Sequence, residues 1–98
     1  MLVNYEYSLP ELLSSVSKEQ IDVSLLNIDN MNTLANNIHT YYRNPTIKDG
    51  QTNSASMSCI IDANLTDTKN IGISFVGNSN AGNPIYLNKL RIIAVLIN

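Results

Sequence analysis

Two periodicities compete along this chain. At its start Val3, Tyr5 and Tyr7 fall on one side and Asn4 and Glu6 on the other, which predicts a short strand over residues 2–7. Ser8-Leu9-Pro10-Glu11 then reads as a capping box, with Ser8 as N-cap and Glu11 reaching back from the third helical position. Pro10 fits that first turn, where an amide has no helical acceptor. Leu12, Leu13 and Val16 give the short helix its apolar side. Ser17-Lys18-Glu19-Gln20 repeats the capping pattern. Residues 21–28 then fit two patterns. Ile21, Val23 and Leu25 alternate with Asp22 and Ser24 as in a strand, while Ile21, Leu25 and Ile28 keep helical spacing. The cap tips the reading towards helix.

Residues 30–43 carry the strongest helical pattern. Met31, Leu34, Ala35 and Ile38 form a stripe flanked by Tyr41 and Tyr42, with Asn32, Thr33, Asn36, Asn37 and Thr40 on the other side. Asp29 or Asn30 can cap it, and Pro45 restricts Asn44 and ends it. Asparagine is a weak helix former, so such a helix depends on tertiary packing or on a partner. Residues 44–55 then read as a long polar connector, mobile or engaged with something, containing the turn signal Asp49-Gly50.

The second half alternates more cleanly. Ala55, Met57, Cys59, Ile61 and Ala63 share a face of a strand over 55–64, and Ile71, Ile73 and Phe75 share a face of a second. Residues 77–84 are a loop by composition. In the third strand, 85–97, the alternation slips near Lys89, as at a bulge. Ile92 to Ile97 is then apolar on both faces and needs cover on both. One face has the core. The other needs the N-terminal helices or another chain.

These elements predict an α+β fold in one domain, 1–98. Two or three N-terminal helices pack on a small antiparallel sheet, a three-stranded meander formed mainly by the C-terminal half, with the strand at 2–7 able to join it.

Composition changes this picture in one respect. Only 14% of the residues are charged, against about 25% in an average domain, and 31 of the 98 are Asn, Ser or Thr. Coding bias towards Asn and Ile explains this incompletely, because Lys is not enriched with them. An uncharged polar surface is covered by a neighbour at lower desolvation cost than a charged one. The net charge of −2 and the lack of a Lys/Arg cluster argue against nucleic acid as a partner. No stretch is long and apolar enough to span a bilayer. The first ten residues do not read as a signal peptide, so the expectation is a protein not secreted by that route, cytoplasmic or assembled into a particle, its localisation otherwise unknown. Asn64-Leu65-Thr66 matches a glycosylation sequon, which without a signal peptide is read as chance.

Chemistry narrows the function further. A nucleophile–base site would have to use Cys59 with His39, the single cysteine and single histidine, and Cys59 falls on an apolar strand face where a thiol is inert. One Cys and one His do not make a structural zinc site. Asp62 to Asp67 resembles the start of a calcium loop, but Asp67 stands where that loop needs glycine and Ile73 where it needs a bidentate Glu. The loop from Gly77 to Gly82 lacks the Lys-Ser/Thr pair of a phosphate loop and precedes a strand. No pair of carboxylates stands out for acid–base work.

The reading is therefore a protein without enzymatic activity, cofactor or metal. It acts as a structural subunit by packing against protein, either itself as a homo-oligomer or other subunits of an assembly. A viral particle or similar shell suits it. The alternative is a small inhibitor or regulator of one partner protein, phage-encoded or antitoxin-like. Candidate interface residues are Tyr41 and Tyr42 on the helical side and Leu90, Ile92, Val95 and Ile97 on the terminal strand.

Overall fold

The computed structural model describes residues 1–9, 17–43, 50–61, 70–80, 82 and 84–94. Six strands run through them: β1 (Leu2–Leu9), β2 (Ser17–Asn27), β3 (Asn32–Arg43), β4 (Gln51–Ser58), β5 (Ile71–Ser79) and β6 (Tyr86–Ile93). They form two antiparallel three-stranded sheets, β4-β1-β6 and β3-β2-β5. The architecture is all-β. The expected α+β fold, with N-terminal helices on a C-terminal meander, is overturned: no helix occurs among the described residues, and β4 and β6 lie in one sheet with β5 in the other. Only β2 and β3 are consecutive partners; every other pair of successive strands is split between the sheets.

The centre strands hold the core. Val3, Tyr5, Tyr7 and Leu9 of β1 are buried against Ile21, Val23 and Leu25 of β2, with Met57 of β4 beside them. Each is every second residue of its strand, so one face of each sheet turns inward. Burying an aliphatic side chain of this size contributes about 1.5–3 kcal/mol, which makes the alternation in β2 a stronger determinant than the cap before it. Glu19, expected at a helix start, instead lies fully buried on the inner face of β2, two residues before Ile21.

The region 30–43 fails as a helix for a related reason. Residues 28–31 form the turn of the β2–β3 hairpin, where Met31 adopts φ 59°, a left-handed backbone. The register then slips between Leu25 and Leu26, which pair with Ala35 and Thr33, so Leu34 is the extra residue of a bulge. Leu34 and Ala35 consequently both pack on the core. From there β3 turns Asn37, His39 and Tyr41 towards the core and Ile38 and Tyr42 towards solvent, as the register with β2 requires. A bulge and a polar inner row together imitate helical spacing.

The other boundaries also move. Gln51 to Ser54, expected in the connector, belong to β4, and β5 runs on to Ser79. The phase slip expected near Lys89 is real: Glu6 pairs with Lys89 but Tyr7 with Leu87, leaving Asn88 as the bulged residue. The capping residues Pro10 and Glu11, the short helix through Val16, residues 44–49 and the Asp62–Asp67 turn lie outside the described residues.

Asparagine excess finds much of its explanation in the fold. Asn27 and Asn30 accept from the amides of Asp29 and Asn32 within the hairpin turn, at 3.0 and 2.9 Å. Asn80 accepts from the Lys18 amide at 2.8 Å, and Asn70 donates to Asp29 at 2.8 Å, tying β5 to the two ends of β2. Asn36 donates to Asp22 and Ser24 across the outer face of the same sheet. Short amides bond neighbouring backbone where turns and strand ends leave it unpaired.

Candidate functional site

The two long sides of the sandwich differ. On the β3/β4 side a row of aromatic and amide groups joins the sheets. The Tyr5 hydroxyl lies 2.5 Å from His39 Nε2, and Asn37 Nδ2 donates to the same hydroxyl at 3.0 Å and to the Ser56 carbonyl at 2.9 Å. Because the Tyr5 oxygen already accepts from Asn37, its own proton is free for Nε2 of a neutral imidazole. The Tyr7 and Tyr41 hydroxyls bond one another. The His39 ring sits 5.0 Å from Tyr7 and edge-on to Tyr5 at 5.8 Å, centroid to centroid. Burial holds the His39 imidazole below the ordinary histidine range. It pushes both tyrosine hydroxyls up, at Tyr5 against the bond from Asn37 and at Tyr7 with the help of Tyr41.

This row is built to hold a shape. Each hydroxyl and amide named is committed to a neighbour, and a general base needs a free, accessible proton acceptor. Cys59 lies at the Met1 end of β1, where its amide donates to the Met1 carbonyl at 3.0 Å. Among the described residues nothing joins it to His39.

On the β5/β6 side the sandwich is open among the described residues. By register Leu87, Leu90 and Ile92 stand opposite Tyr7, Tyr5 and Val3, so they belong to the inner face of their sheet. They are nevertheless 37%, 44% and 48% exposed. Ile85 reaches across to β5, where its Cβ would lie 3.0 Å from any Cβ placed at Gly77; the glycine makes room for this approach. Beyond it β6 pairs with β1 alone and leaves its second backbone edge unpaired among the described residues.

The outer face of the same sheet is polar. Rows Ser56–Asn4–Arg91 and Ser54–Glu6–Lys89 cross it and line a shallow cleft of about 1000 Å³. Lys89 pairs with Glu6 at 3.5 Å, and Asn88 donates to Ser8. Arg91 faces Asn4 by register and has no acidic partner among the described residues.

No family model matches the chain, and neither a curated protein nor a solved structure does. The functional reading therefore rests on these surfaces.

The expected interface residues do not come together. Tyr41 is half-buried in the polar row, while Tyr42 is 72% exposed on the outer face of β3, with the Lys18 ammonium 5.6 Å from its ring centre. Leu90 and Ile92 lie on β6, in the other sheet and on the opposite long side. Val95 and Ile97 lie outside the described residues. Sequence reasoning missed Leu87 and Arg91. The signal for Leu87 was the phase slip: a bulge at Asn88 puts residues 87 and 90, three apart, on one face. Among the described residues no helix is long and apolar enough to cross a membrane.

Proposed function

We propose that this protein is a non-enzymatic subunit of a larger assembly, acting by protein–protein packing through β6. One observation carries the reading. Leu87, Leu90 and Ile92 occupy core positions by register but are left between 37% and 48% exposed beside a strand edge that is unpaired among the described residues. An unpaired strand edge is a template for pairing with another chain. Extending the sheet by one strand would complete both the backbone ladder and the inner row. The charge-poor composition is secondary support, because so many of the asparagines already serve turns and strand ends.

The test is the molar mass, by light scattering, of the protein isolated under native conditions from the source that makes it, compared with Leu90→Lys produced in the same way. The wild type is expected in a complex well above 10.8 kDa and the variant as a free chain. A wild type found as the free chain throughout overturns the reading. A variant that keeps its place in the complex overturns the assignment to β6. Position 90 is half-exposed, so lysine is tolerated in the isolated fold, which an unchanged far-UV spectrum checks.

A further inference from the structure

Packing through β6 leaves open what chain is added there. We infer that it is an extended segment of a different protein in which apolar residues alternate with acidic ones, and not a second copy of β6. This rests on β6 being the packing strand, and adds the chemistry of its partner.

The inner row sets the first requirement. A strand laid along β6 places every second side chain beside Leu87, Leu90 and Ile92, and these neighbours must be apolar to remove that row from water. The outer row sets the second. The charges that β6 carries there are Lys89 and Arg91, both cationic. Glu6 compensates Lys89 from within the sheet at 3.5 Å, whereas Arg91 stands opposite Asn4 and has no acidic partner among the described residues. An arriving strand that places a carboxylate beside Arg91 gains a cross-strand ion pair on the outer face, at the rim of the cleft.

The same charges disfavour self-pairing. Two copies of β6 joined antiparallel about a two-fold axis must keep inner faces together. Arg91 then falls opposite Lys89, Arg91 or an uncharged residue such as Ile93 of the second copy, and the strand offers no acid in any register. Like charges directly opposite are destabilising, and lysine on an edge strand is a common guard against self-association. The required pattern is therefore apolar–acidic–apolar, with the acid at the level of Arg91.

Two synthetic eight-residue peptides test this, one alternating valine with glutamate and one valine with lysine, titrated into the ¹⁵N-labelled full chain. The glutamate peptide is expected to shift the amides of 86–93 and to bind about fivefold more tightly than the lysine peptide, which is the factor corresponding to one good cross-strand charge pair. Arg91→Glu should reverse that order, and a proline at the centre of the glutamate peptide should abolish binding, since it removes a ladder donor. Equal affinity for the two peptides, shifts confined to other strands, or no binding by either overturns the inference. If instead the 86–93 amides shift with the concentration of the chain alone, the partner is a second copy; packing through β6 then stands and the acidic strand does not. Failure of the peptides together with a native mass indifferent to Leu90→Lys removes both.

Discussion

The two long sides of this sandwich solve the same problem in opposite ways. At the β3/β4 side the inner row of the edge strand is polar: Asn37, His39 and Tyr41 meet Tyr5, Tyr7 and the Ser56 carbonyl, and the sheets close on one another. At the β5/β6 side the inner row of β6 is aliphatic, with Leu87, Leu90 and Ile92 left half in water. The side that looks poor in hydrophobic residues is the sealed one. Directional bonds join two edges at fixed distances and satisfy their polar atoms, so closure there needs no further layer. Aliphatic side chains have no such geometry and are covered only when another surface is laid over them. Apolar residues at an edge therefore leave surface uncovered, whereas polar ones close theirs.

Truncations at the core and at the open side separate these roles most sharply. Leu25→Ala, in the fully buried row of β2, is expected to lower the unfolding free energy by about 3 kcal/mol, because it removes transfer free energy and leaves a cavity. Leu90→Ala is expected to cost under about 1 kcal/mol, since solvent already reaches the side chain and no closed cavity forms. Urea denaturation of the isolated chain measures both. A Leu90 loss as large as that of Leu25 would mean that the open side is core after all.

A smaller effect probes the polar side. Asn37→Ala takes a donor from the Tyr5 hydroxyl and from the Ser56 carbonyl and is expected to cost about 1–3 kcal/mol, with Arg91→Ala on the open side costing less than about 0.5 kcal/mol. Equal losses would show that the amide does not join the sheets.

The smallest effect is one of pH. Burial holds His39 below its ordinary value, so as pH falls the unfolded chain takes up its proton first. The stability contributed by the neutral imidazole is then complete above about pH 6.5 and declines below it. The urea midpoint should therefore fall further between about pH 7.5 and pH 5 in the wild type than in His39→Gln. Tyr5 and Tyr7 act in the opposite range. Their raised values mean that the unfolded chain loses protons first, and stability declines as pH rises above about 10. A wild type and a His39→Gln variant with parallel pH profiles would place His39 in solvent.

Legibility in the sequence followed the chemistry of the inner rows. β1 was readable because Val3, Tyr5 and Tyr7 are all large and all buried. β5 was readable through Ile71, Ile73 and Phe75, and the bulge in β6 through the slip at Lys89. β2 carried the same signal in Ile21, Val23 and Leu25, but capping residues ahead of it mimicked a helix start. β3 was not readable, because its inner row contains an amide and an imidazole and its outer row contains Ile38 and Tyr42. Of the candidate interface, Leu90 and Ile92 were visible as apolar positions in a strand needing cover, whereas Arg91 gained meaning only from its place opposite Asn4.

By itself the sequence determined which residues of β1 and β5 could face a core, since in them the alternation of large apolar side chains had no competing pattern. The tertiary structure decided that residues 17–43 are a hairpin, because the bonds that make Asn37, His39 and Tyr41 acceptable inside come from Tyr5, Tyr7 and Ser56, distant in the chain. It also decided which apolar row is left exposed. A side chain's hydrophobicity is local, but its burial depends on whether a neighbouring strand is there to cover it, and beside β6 this chain supplies none among its described residues.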